Sequence, residues 1–152
     1  MAPALPGGVI FASENPSVVE TIAAAARAAP ERRDLAPLVC TAGQANSAVI
    51  ALLERLASQG ARVCYHGDFD WAGLRIAASL AARIDWLPWE FGAGEYRAAV
   101  SAARASGAAV PLRGAPAASP WDPDLAVAMA QANLAIEEEA VLVPLLRSYL
   151  HP

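Results

Sequence analysis

The segment Val63-Cys64-Tyr65-His66-Gly67-Asp68-Phe69-Asp70-Trp71-Ala72-Gly73 is where residue types and spacing point most directly to chemistry. An apolar run ends in two aspartates one residue apart. A glycine stands three residues further on, and a helical pattern begins. Asp-x-Asp between a strand end and a helix start directs two carboxylates into one crevice. Two anions held that close repel unless a cation lies between them. Hard dications take oxygen ligands of this kind. The segment therefore predicts a site for Mg²⁺ or Mn²⁺, and with it chemistry on phosphate.

The elements that must position these acids alternate strand and helix. Gly8 to Ala12 reads as a first strand, and Pro16 to Ala29 as a helix with Pro16 in its first turn, where a missing N–H costs least. Leu35 to Thr41 reads as a second strand. Asn46 to Gln59 is a helix with the stripe Val49, Ile50, Leu53 and Leu56, ended by Gly60. Arg62 to His66 is a third strand, and Trp71 to Ile84 a helix with Leu74, Ala77, Ala78 and Ala81 inward. Asp85 to Phe91 is a fourth strand, and Pro88 within it marks a sheet edge. Strands joined by helical crossovers imply an α/β fold, a mostly parallel sheet of about four strands flanked by helices. In such sheets ligands bind at the strands' carboxyl ends, beside the reversal in strand order. The first and third strands should flank that reversal. Their ends carry Glu14 and Asp68-Phe69-Asp70, so three acids distant in sequence are expected to converge.

The second half reads as mainly helical. Gly94 to Ser106 is one helix, residues 107–121 form a Pro/Gly/Ala-rich loop, and Asp122 caps a helix with Pro123 at its first position. Glu137 to Leu150 is helical, with Pro144 starting, kinking or breaking it. The whole chain, 1–152, fits one domain with a short tail, 1–8.

Composition narrows the function classes. The chain has 11 basic residues, all arginine, against 15 acidic ones, for a formal net charge of −4. A self-sufficient DNA-binding module would carry a basic stripe, and here the charges are interspersed. The longest charge-free run, Leu35 to Leu53, is interrupted by Pro37, Gly43, Gln44, Asn46 and Ser47, so no membrane span is expected. The N-terminus lacks a basic region followed by an apolar one, as a signal peptide would have. Cys40 and Cys64 each lie in an apolar run and read as buried reduced thiols. Together these point to the cytoplasm.

Four ordered motifs carry a family resemblance: Ser13-Glu14-Asn15-Pro16-Ser17-Val18-Val19-Glu20, Cys40-Thr41-Ala42-Gly43-Gln44, His66-Gly67-Asp68-Phe69-Asp70-Trp71-Ala72-Gly73 and Pro120-Trp121-Asp122-Pro123. Strand-Glu followed by strand-Asp-x-Asp resembles the Toprim fold of topoisomerases, primases and nucleases of the overcoming-lysogenization-defect type. More narrowly, the four motifs resemble the C-terminal Toprim-like domain of a bacterial family encoded beside condensin-like ATPases. That family is similar to the nuclease subunit of the Wadjet plasmid-defence system and, more distantly, to the topoisomerase VI A subunit. The resemblance implies a Toprim-like Rossmannoid fold and a metal-dependent DNA phosphodiesterase within a plasmid-defence or phage-defence complex. Glu14 falls on the catalytic glutamate, Asp68 and Asp70 on the metal-binding aspartates, and Gly73 on the glycine that lets the following helix approach. The implied cofactor is Mg²⁺ or Mn²⁺. The implied partners are DNA reached through a larger complex, condensin-like ATPase subunits and an N-terminal region of the same protein. Because members of that family are much longer, this chain resembles an isolated C-terminal domain, expected to be weak or inactive alone. Topoisomerase-type relatives cleave with a tyrosine from a separate domain that has no counterpart here.

Each residue also has a plainer reading. Asp68 and Asp70 could be a helix cap and a surface acid, and Glu14 a turn residue. His66 reads as a neutral strand-end histidine bonded locally, Glu20 as solvated, and Gln44 and Ser47 as site rim or simple helix start. Glu137-Glu138-Glu139 reads as a solvated helix start. Trp71, Trp86, Trp89 and Trp121 read as packing aromatics. Tyr65, Tyr96 and Tyr149 are poorly placed as nucleophiles, which favours water as attacker. Rival functions are a non-catalytic assembly or DNA-end-docking domain, a topoisomerase-like strand-cleaving module, and a haloacid-dehalogenase-type phosphotransferase. The last places Asp-x-Asp on the first strand and a Thr or Val where this chain has Ala72.

Overall fold

A computed structural model describes residues 8–29, 35–43 and 47–151 of the chain. Its central sheet has strands β1 (Val9–Ser13), β2 (Leu38–Cys40), β3 (Arg62–His66) and β4 (Trp86–Pro88). They lie in the order β2-β1-β3-β4, and every pairing is parallel. Helix α1 (Pro16–Arg27) carries the chain from β1 out to β2. Helices α2 (Ser47–Ser58) and α3 (Trp71–Ala81) carry it back the other way. The order therefore reverses between β1 and β3, as the sequence predicts. Right-handed crossovers place α1 on one face and α2 with α3 on the other.

The short strands are buried on both sides, which explains their near-continuous apolar sequence. Ile10, Ala12, Tyr65, Ile22, Leu53, Leu74 and Ala77 are all fully buried. Each large aliphatic residue among them contributes about 1.5–3 kcal/mol by leaving water. Leu80 rather than Ala81 completes the inward face of α3, for Ala81 is exposed. Cys40 and Cys64 are free but only half-buried, because both strands offer them a partly open face. Pro88 does sit in an edge strand, where its missing N–H leaves no rung unfilled. That strand ends at Pro88, short of the predicted Phe91, where the backbone turns and Glu90 adopts φ +50°.

In the second half, α4 (Ala93–Ser106) packs on α5 (Pro123–Ala132), whose start Asp122 caps through Oδ1 to the Asp124 amide at 3.1 Å. The 107–121 segment is not wholly loop. It contains β5 (Val110–Pro111), which pairs antiparallel with β6 (Leu134–Ala135). Strands of two residues are too short to show any alternation in sequence. Beyond β6, Phe69 and Ile136 exchange backbone bonds, 2.9 Å and 3.2 Å, tying the C-terminal segment to the loop after β3. The chain then makes a 3₁₀ turn (Glu138–Val141) and helix α6 (Leu142–Leu150), with Pro144 inside its first turn. On α1's face of the sheet, Phe11 meets Tyr149 of α6 edge-on at 5.2 Å.

Gly73 is the residue on which the approach of α3 to β3 turns. A Cβ there would overlap the Asp68 carbonyl oxygen, a backbone atom that cannot step aside. We expect Gly73→Ala to lower unfolding free energy by about 3 kcal/mol, read as a reduced midpoint in urea. A loss under half that size would show the loop after β3 to be more adjustable than its geometry indicates.

Candidate metal centre

Glu14 follows the last residue of β1, and Asp68 and Asp70 follow β3, its direct neighbour. Adjacent parallel strands thus deliver all three predicted acids to one sheet edge. Glu14 Oε2 accepts the Asp68 amide at 3.3 Å. Gly67 makes that approach possible, for a Cβ there would stand 2.9 Å from Glu14 Oε2 and 3.2 Å from Tyr65 Oη. Asp70 has the cap role of its plainer reading, its Oδ1 accepting the Gly73 amide at 2.6 Å. A cap uses one carboxylate oxygen and leaves the other able to bind. Among the described residues, no three His, Cys, Asp or Glu side chains converge in a metal-holding group. Glu14 and Asp68 are brought together, and Asp70 stands beside them turned to its helix.

Glu138 is the functional residue that sequence reasoning missed. It reads as part of a solvated acidic helix start, yet it has no exposed surface. Its Oε1 accepts from the Glu14 amide at 3.1 Å, its Oε2 from the Asn15 amide at 2.6 Å, and the Ser13 hydroxyl bonds to both oxygens. Its own amide donates to Asp68 Oδ1 at 2.8 Å. Glu139 supports the same corner, accepting from Asn15 Nδ2 at 2.6 Å and from Ser17 Oγ at 3.2 Å. A run of three glutamates in isolation does not reveal which one turns inward. The signal lies in the Phe69–Ile136 pairing, which no local pattern announces.

Burial and crowding of like charge govern the electrostatics. Desolvation, then the charge of Asp68, pushes Glu14 up to about 7. Desolvation lifts Asp68 to about 6, and Asp70 adds to the rise. Glu138 is pushed up to about 8 by burial and by Asp68, against the lowering effect of its backbone and hydroxyl donors. Among the described residues, no arginine is bonded to any of the three. Beneath them the buried Tyr65 Oη has no hydrogen-bond partner. An all-oxygen donor set, short of positive charge and lying over an orphaned hydroxyl, is one that an oxygen-seeking dication fits.

The other candidates have their plainer roles. His66 is buried with Nδ1 2.8 Å from the Trp89 carbonyl, and burial pushes it down to about 4, so it is neutral. Glu20 and Ser47 are exposed, and Gln44 lies outside the described residues. Trp71, Trp86 and Trp89 are buried, while Trp121 is half-buried and stacks on Phe91 at 5.3 Å. Tyr96 and Tyr149 donate to the Leu134 and Ala36 carbonyls.

Residues 2–148 match a family model described as "Protein of unknown function C-terminus (DUF2399)". The chain belongs to this family. No curated protein and no solved structure matches it. The match takes in β1, the loop after β3 and the turn that carries Glu138, so every acid of the centre falls within the family region.

The raised values set a pH dependence. An acid whose folded value exceeds its unfolded one contributes stability below the unfolded value and loses it as pH rises through the folded one. For Glu14, Asp68 and Glu138 that window runs from about 4 to about 8. In chelator, the melting temperature should fall as pH rises from 5 to 8. Glu138→Gln should cost about 1–3 kcal/mol at pH 5, from imperfectly met backbone donors, and less at pH 8, where the parent's buried charge is itself unfavourable. A larger deficit at pH 8 would reverse this electrostatic account.

Proposed function

We propose that this domain is a metal-dependent DNA phosphodiesterase, with Mg²⁺ or Mn²⁺ held by Glu14, Asp68 and Asp70. The observation that carries the reading is the meeting of Glu14 and Asp68 at the carboxyl edge of adjacent parallel strands, crowded enough that both are raised toward neutrality. A dication bound there supplies charge neutralisation for the attacking and leaving oxygens of a phosphate diester. Glu14, titrating near 7, is suited to take a proton from an attacking water at its free carboxylate edge. Asp68 is held in place by the Glu138 amide and Asp70 by the Gly73 amide. Glu138 fixes the backbone of Glu14 from below.

The resemblance to the Toprim-like subunit of the Wadjet system extends this proposal to a cytoplasmic defence complex with condensin-like ATPase subunits. The sparse positive charge supports reaching DNA through such partners, since 11 arginines against 15 acids release few counterions from a duplex. No helix among the described residues is long and apolar enough to cross a membrane. One observation favours the assembly reading instead: Asp70 is committed to a cap and the three acids do not already converge.

Two experiments separate these readings. Mg²⁺ or Mn²⁺ should raise the melting temperature, because a ligand of the native state stabilises it. The rise should grow between pH 5.5 and pH 8 as protons leave the acids. Asp68→Asn with Asp70→Asn should abolish it without lowering the melting temperature in chelator. An unchanged metal response in the double variant would refute the assignment. In a plasmid assay the isolated domain should bind duplex weakly and cut little. The complete assembly should cut, and Glu14→Ala should slow it at least about a hundredfold. Equal cutting by that variant would leave Glu14 without a catalytic role.

A further inference from the structure

Next to the acids, a groove runs down the sheet face between α2 and α3, with room of about 320 Å³. Its upper end is Thr41 and Gly43, whose amide donates to the Glu14 carbonyl at 3.2 Å, so the groove opens directly beside the candidate metal centre. Its walls are apolar where Ile50 of α2 faces Ile76 of α3. Set into them are the hydroxyls of Thr41, Tyr65 and Ser79 and the side chain of Arg75. Arg75 is already bonded to the Ala115 carbonyl at 2.8 Å, so its guanidinium is held in position. Tyr65 is fully buried, lines the groove and carries the orphaned hydroxyl. Thr41 lies against that phenol but turns its own hydroxyl to the Ser13 carbonyl. A buried donor without a partner costs about 1–3 kcal/mol, and a structure that keeps one beside a groove is suited to a ligand that supplies the acceptor.

We propose that this groove takes the nucleoside body, base and sugar, of the nucleotide next to the phosphate under attack, with Tyr65 Oη donating to it. The proposal rests on the phosphodiesterase reading and names the part of the substrate the groove recognises. Three features point to a neutral, flat, hydrogen-bonding ligand. The aliphatic walls stand on opposite helices, as a planar ring requires. Hydroxyls outnumber charged groups. The nearby Glu14, Asp68 and Glu138 oppose a free anion, which a single tethered arginine would not hold against them. Pockets of this make-up, apolar with a few placed polar groups, bind small organic ligands.

The test needs neither metal nor activity. Thymidine, deoxyadenosine, ribose and inorganic phosphate are titrated into the domain in EDTA, with amide shifts followed by NMR. Both nucleosides should shift the amides of Thr41, Ala72 and Ser79, and ribose and phosphate should not. Tyr65→Phe should weaken nucleoside binding about fivefold while melting no lower than the parent, because it removes an unpartnered group. Ser79→Trp, at an exposed position of α3, should fill the groove and abolish binding while leaving the Mn²⁺-induced thermal shift intact. The proposal is overturned if nucleosides at millimolar concentration leave those amides unmoved, if ribose or phosphate moves them equally, or if Ser79→Trp binds as the parent does. The Mn²⁺ shift in the same samples reports separately on the metal reading, so either can fail while the other stands.

Discussion

A carboxyl group with no contact with water holds this domain's candidate site together. Glu138 receives the amides of Glu14 and Asn15 and the hydroxyl of Ser13, while its own amide holds Asp68. One residue from the C-terminal segment thereby fixes both strand ends that carry the acids. The arrangement is costly, because the same burial and the same neighbours drive Glu138 to about 8. A buried acid that only supported the fold could be replaced by an apolar residue with little loss. Here it spans the ends of β1 and the loop after β3, and the backbone donors it satisfies lie beside the acids proposed to bind metal.

The consequence is a site assembled from three distant stretches of chain and balanced near neutrality. Glu14, Asp68 and Glu138 each titrate well above an ordinary carboxyl, and among the described residues no cationic side chain is bonded to them. Such a cluster is at once destabilising and receptive: it resists full ionisation until a cation arrives. Asp70 is poised differently, with one oxygen held by α3. Ligand binding there must share the carboxylate with a helix cap, which makes the orientation of α3 part of the metal chemistry. Gly73 allows that helix to come close enough for the sharing to occur.

Much of this was legible in the residues. The parallel sheet, the reversal between β1 and β3, the edge position of β4 and the cap at Asp122 follow from periodicity, proline placement and turn chemistry, which are local signals. So does the delivery of Glu14, Asp68 and Asp70 to one edge. What escaped depends on contacts between distant segments. The β5–β6 ribbon is too short to show a period. Glu138 looks like its solvated neighbours until Phe69 pairs with Ile136 and turns it inward. Tyr65, discounted as a strand residue, becomes notable only when its hydroxyl is found without a partner beneath Glu14.

The central claim is that these acids form a dication site. Anomalous diffraction from a crystal of the domain soaked in Mn²⁺ at pH 8 tests it most directly. The account predicts a peak within ligand distance of Glu14 and Asp68, about 2.0–2.3 Å, with Asp70 turned to share it, and no such peak in the Asp68→Asn, Asp70→Asn variant. A saturating soak that leaves this edge empty, or that places manganese only on exposed acids elsewhere, would contradict it.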